Sequence, residues 1–219
     1  VDPTHISRAD WDNDGDLVLV SAPSGGYTLF YHENTGSAIS AAFQSPVSTN
    51  DLGLAPDKDV RAMALVDIDD DNDMDAFFMA DSVVTFTENT GSVAAPAFAS
   101  PVSNPFGLLY LPNTEVTPVD LDGDGDYDLM GTQDYSGFHY FENIGTTVAP
   151  FFVAPQINPF NLPGTGYYLS SPALADMDDD GDLDLLVLYG YYDIYSTDLL
   201  YYENLSLIHI SEPTRPEDI

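Results

Sequence analysis

Four nine-residue segments carry most of the chemistry in this sequence: Asp10–Val18, Asp67–Asp75, Asp120–Asp128 and Asp176–Asp184. Each follows the pattern D-x-D-x-D-G/N-D-x-D, except that the first ends in Val18 where the others end in aspartate. Carboxylates at positions one, three and five fall on alternate residues of a tight turn. Position six needs a left-handed backbone, which glycine adopts without strain and asparagine tolerates. Position seven can then present its backbone carbonyl, and position nine supplies a closing carboxylate. Five or six oxygens in such a turn are hard ligands in the number that calcium accepts, while magnesium demands a stricter octahedron. The expected ligands are Asp10, Asp12, Asp14 and Asp16 in the first loop and Asp67, Asp69, Asp71, Asp73 and Asp75 in the second. In the third they are Asp120, Asp122, Asp124, Asp126 and Asp128, and in the fourth Asp176, Asp178, Asp180, Asp182 and Asp184. Val18 removes the closing carboxylate of the first loop, so that site is expected to be weaker, or completed by water or another residue.

The alternative is that these aspartates merely solvate turns. Two carboxylates about 4 Å apart repel by roughly 1 kcal/mol in water and about 4 kcal/mol at an effective dielectric of 20. Each loop gathers at least three, a cost that a bound cation removes. The four loops hold four, six, five and six acids, 21 of the 37 in the chain. Much of the net charge of −33 is therefore loop chemistry. An EF-hand is excluded, because its twelfth position requires glutamate and here reads Ser21, Phe78, Gly131 and Val187.

The loops must be held by something, and they recur at intervals of 57, 53 and 56 residues. After each loop comes an apolar run and then a second fixed word: YHENTG ending at Gly36, FTENTG at Gly91, YFENIG at Gly145 and YYEN at Asn204. A third word of the form Phe-x-x-Pro follows at Phe43–Pro46, Phe98–Pro101 and Phe152–Pro155. Constant order at constant spacing marks a repeat architecture. Within a repeat, a short apolar stretch precedes the loop, a dense one such as Leu183–Leu188 follows it, and a third leads into the Glu-Asn word. These read as buried strands. The Phe-x-x-Pro word suggests a short fourth strand ending at its proline. Four antiparallel strands per repeat fit the blade of an all-β propeller, and a blade needs a neighbour to cover its face. The approximate repeats are 1–56, 57–110, 111–166 and 167–204. The third-strand aromatics Phe30, Tyr31, Phe86, Tyr140, Phe141, Tyr201 and Tyr202 are expected to pack in and between blades.

With these motifs in place, the sequence resembles the FG-GAP/VCBS repeat family over residues 1–204. That family includes the seven-bladed propellers of integrin α-chains and many bacterial secreted or surface proteins. Asp14–Pro23 resembles the strand entering the family's Gly-Ala-Pro word, with Ser21 in place of glycine, and Phe106-Gly107 resembles its Phe-Gly word. The resemblance implies calcium in a loop between the first two strands of each blade, about four blades of a larger ring, and a secreted or surface location.

Residues 205–219 break every pattern. Their first eleven are what a transposon-end sequencing adapter would encode when read through in frame, so a non-native, disordered tail is expected there.

Composition narrows the function. With only 4 Lys+Arg, the chain is unsuited to nucleic acid or anionic lipid. No apolar run approaches the length of a membrane-spanning helix. With no cysteine, disulfides and thiolate metal sites are excluded. The four histidines are scattered, and neither a G-x-S-x-G word nor a phosphate loop is present. The expectation is a non-enzymatic binding or adhesion module for a protein or glycan, with a structural spacer or a polysaccharide-active enzyme as alternatives. Candidate contact loops are 107–113, 164–168 and 189–196, the last two rich in tyrosine.

Overall fold

A computed structural model describes residues 5–12, 14–23, 28–54, 60–80, 83–92, 95–108, 114–133, 136–162, 168–169, 172–190 and 197–203. Of the three candidate contact loops, only residues 107–108, 168 and 189–190 are among these; the rest, together with residues 205–219, lie outside them. The chain divides into two compact units, Val1–Pro112 and Asn113–Ile219.

The first unit contains two blade-like sheets. One runs β1 (His5–Ala9), β2 (Val18–Ala22), β3 (Phe30–His32), β4 (Val47–Ser48), all antiparallel neighbours in that order. The other repeats the plan with β5 (Val60–Val66), β6 (Asp75–Ala80), β7 (Val83–Thr87) and β8 (Val102–Ser103). Val18, Val20 and Ala22 of β2 and Leu29 beside β3 pack against Val60, Ala76 and Phe78 of the second sheet. Alternating residues of a pleated strand thus supply one face to a neighbour, as the period-two pattern requires. Trp11 sits at this seam, edge-on to Tyr31 and Phe98 at 5.7 and 5.5 Å between centroids.

The second unit has the same plan. Its first sheet is β9 (Thr114–Val119), β10 (Asp128–Gln133), β11 (Gly137–Phe141) and β12 (Gln156–Ile157). Its second has β13 (Tyr168–Leu169) and β14 (Ala173–Ala175) both paired to β15 (Asp184–Gly190), with β16 (Thr197–Tyr202) on the other edge of β15. Here two short strands, β13 and β14, stand in the first strand's place, and among the described residues no outer strand follows β16. Met130, Phe138 and Tyr140 pack against Leu185, Val187 and Tyr202 across the two sheets. The fold class is all-β, built of β-propeller blades. Among the described residues, no helix is long and apolar enough to cross a membrane.

The fourth strand does not lie on the Phe-x-x-Pro word but begins just after its proline, at Val47, Val102 and Gln156. Proline has no N–H to give the ladder, so pairing starts with the next residue. The phenylalanines instead make isolated bridges back to Asn34, Asn89 and Asn143.

Candidate metal centres

Each loop joins the first two strands of its blade and folds around its own first aspartate. Asp10 accepts the N–H groups of Asp14 and Gly15, both at 3.1 Å. Asp67 accepts those of Asp71 and Asn72, and Asp176 those of Asp180 and Gly181, at 2.9–3.1 Å. Asp120 takes Gly123 and Gly125 at 2.8 and 3.1 Å. The fifth carboxylate then accepts the seventh N–H at 3.0 Å in every loop. Position six is left-handed throughout, with φ of 91° at Gly15, 73° at Asn72, 96° at Gly125 and 93° at Gly181. Position four is left-handed as well, at Asp70, Gly123 and Asp179. Two reversals in three residues curl the turn tightly enough to bring its alternate side chains to one point.

Positions one, three and five converge as expected. In Asp10/Asp12/Asp14, Asp67/Asp69/Asp71, Asp120/Asp122/Asp124 and Asp176/Asp178/Asp180, one oxygen per residue lies within 4.8 Å of the others. The side chains of Asp16, Asp73, Asp126 and Asp182 at position seven do not belong to these triplets, nor do Asp75, Asp128 and Asp184 at position nine.

Position nine has a second task that sequence reasoning missed. Asp75, Asp128 and Asp184 are 1%, 1% and 0% exposed, buried beneath their loops at the start of the second strand. Asp128 accepts from Leu121 N–H at 3.2 Å, Asn143 N–H at 2.8 Å and the Tyr140 hydroxyl at 2.8 Å. It ties the start of the loop to the Glu-Asn word of the third strand. Asp75 accepts from Asn89 N–H at 2.7 Å, and Asp184 from Met177 N–H at 3.0 Å. In the first blade Val18 takes this place and is buried in the apolar seam.

The asparagine of the Glu-Asn word is the other anchor. Asn143 Oδ1 accepts Gly145 N–H at 3.0 Å and Phe151 N–H at 2.8 Å. Asn34 holds Gly36 and Ala42, and Asn89 holds Gly91 and Ala97, in the same way. The glycine that follows is required by space. A Cβ on Gly145 would stand 2.3 Å from Ala149 O, with near-identical overlaps at Gly36 and Gly91. The constancy of the word across the repeats was the available signal for this anchor.

Several loop oxygens are buried without a hydrogen-bond partner: Oδ1 of Asp12, Asp69, Asp73 and Asp126, and Oδ2 of Asp75. Burial, with neighbouring carboxylates next, pushes Asp73 and Asp126 up to about 6. Burial, aided by neighbouring carboxylates and opposed by hydrogen bonds, raises Asp75 and Asp128 to about 8 and about 6. An orphaned, desolvated anion is costly unless a cation stands beside it. All-oxygen donors in this number and spacing suit calcium, so the residues present fit such an ion.

A family model agrees with the repeat pattern over part of the chain. Residues 120–187 match a family described as FG-GAP-like repeat. No curated protein matches the chain. Among solved structures, the chain is similar to an Agrocybe aegerita lectin studied for its specific recognition of non-reducing terminal N-acetylglucosamine. Identity is 17%, the TM-score 0.48, and the similarity covers 86% of this chain and 49% of the lectin. The chain thus spans about half the length of that protein.

Proposed function

We propose that this chain, which carries an FG-GAP-like repeat over residues 120–187, is a calcium-stabilised propeller segment. In this reading, residues 1–204 serve as a binding or adhesion module of an extracellular or cell-surface protein. Residues 205–219 are a non-native tail. The observation that carries the reading is the coincidence, in one turn, of a converging aspartate triplet and buried oxygens without partners. In each blade, positions one, three and five would hold the ion, with position seven lending its carbonyl and position nine its carboxylate where one exists. A bound ion supplies positive charge that cancels the repulsion within the loop. The residues of the chain do the rest: position one folds the turn, position nine ties it to the third strand, and the blade is fixed as a rigid support. Binding specificity then resides in the connecting loops, which are free to vary on such a support. The ligand class is a protein or a glycan, and the carboxylates serve as ion ligands and not as catalytic acids.

Isothermal titration of the chelated protein with calcium is expected to show three well-formed sites and a weaker fourth at Asp10–Val18. A flat titration would remove the calcium reading. Glycan-array and surface-protein capture in calcium test the binding role, and blank panels in both would favour a spacer.

A further inference from the structure

The ninth-position aspartates of the second and third blades differ in what meets their Oδ2. Asp128 has all its hydrogen bonds supplied by protein: Asn143 N–H on Oδ1, and Leu121 N–H and the Tyr140 hydroxyl on Oδ2. Asp75 keeps the Asn89 N–H on Oδ1, and the Ile68 N–H also favours its charged form, but its Oδ2 makes no hydrogen bond. The residue that matches Tyr140 in the second blade is Phe86, one strand position for another in the words FTENTG and YFENIG. The two rings also pack alike, Phe86 against Phe106 at 4.8 Å and Tyr140 against Phe160 at 5.4 Å. Between the two third-strand side chains the difference is therefore a single hydroxyl. The fourth blade follows the third, with Tyr201 hydrogen-bonded to Asp184. In the first blade Tyr31 is present, but Val18 offers it no carboxylate.

Resting on the calcium reading above, we infer that the third-strand tyrosine is a positioning residue that closes its loop without an ion. Blades with the Tyr–Asp pair, the third and fourth, keep the loop tied to the third strand when the cation leaves. The second blade, with Phe86, depends on the cation to satisfy Asp75, and its hairpin opens when calcium is withdrawn. Calcium dependence is then concentrated in the first unit, where neither blade has the pair.

Hydrogen exchange measured by mass spectrometry on the whole chain, in calcium and in chelator, tests this. Chelation is expected to speed exchange in the β5–β6 hairpin on the order of tenfold more than in the β9–β10 hairpin, the scale of a hydrogen bond to a buried charge. Tyr140→Phe should make the β9–β10 hairpin sensitive to chelator, and Phe86→Tyr should protect β5–β6. The first variant installs a ring that the second blade already accommodates, and the second adds only a hydroxyl. Equal responses of the two hairpins, or variants that shift neither, overturn the inference. Calorimetry on the same samples separates the causes. Calcium heat with equal exchange sinks only the tyrosine, whereas no calcium heat sinks the ion reading and the tyrosine with it.

Discussion

Replacing Asn143 by alanine is expected to destabilise the second unit by about 2–3 kcal/mol. The side chain is buried, and its Oδ1 accepts two backbone N–H groups, Gly145 at 3.0 Å and Phe151 at 2.8 Å. Its Nδ2 also donates to Tyr127 O at 3.3 Å. Each lost bond is worth about 1 kcal/mol where water can replace the partner, and up to about 3 where it cannot. Both bonds are only part-buried, so the lower figure applies to each. The third bond is long and adds less. The neighbouring Ile144, 56% exposed, provides the control, since its truncation should cost less than about 0.5 kcal/mol. Urea denaturation in saturating calcium, followed by far-ultraviolet circular dichroism, reads both variants. Equal midpoints for Asn143→Ala and Ile144→Ala would refute the view that the Glu-Asn word is a structural anchor.

Gly145→Ala should also destabilise, by on the order of 2 kcal/mol, because the new Cβ overlaps the backbone oxygen of Ala149; an unchanged urea midpoint would contradict the steric argument. His139 is buried in β11, and burial lowers its pKa below the usual 6.5. A folded value below the unfolded one means that the neutral ring favours folding above pH 6.5. That contribution is lost as pH falls through the folded pKa. Wild type should therefore lose stability relative to His139→Phe below pH 6.5, and the imidazole resonance should titrate below the free value. Val18→Asp restores the closing carboxylate of the first loop at a buried position. It should lower stability in chelator by about 2 kcal/mol, the scale of an uncompensated buried polar group, and raise calcium affinity at that loop. A variant that binds calcium no better would show that Val18 is not what weakens the site.

Much of this was readable from residue types because the chemistry is local. Alternating aspartates around Gly15, Asn72, Gly125 and Gly181 dictate a tight turn whatever surrounds it, and the left-handed sixth position is found in each. The left-handed fourth position was not readable, since aspartate holds it at Asp70 and Asp179 and carries no such signal on its own. Position nine illustrates a different limit. Its carboxylate was legible as a ligand, but its bonds to Asn143 and Tyr140 reach 15 and 12 residues along the chain and exist only once the third strand is in place. The turns at Asn104-Pro105-Phe106 and Asn158-Pro159-Phe160 were hidden for the same reason. Phe106 and Phe160 adopt φ of 54° and 56°, which an aromatic residue avoids on its own. Packing on Phe86 and on Tyr140 holds them there.

The central claim is that four aspartate turns are built around divalent cations. Thermal melting in millimolar calcium and again in excess chelator addresses it most directly. If free calcium is about 100 times a site's dissociation constant, each occupied site adds about 2.7 kcal/mol to the folded state. The melting midpoint is expected to be markedly higher in calcium, with magnesium giving a smaller rise. Coincident melting curves in calcium and chelator would contradict it.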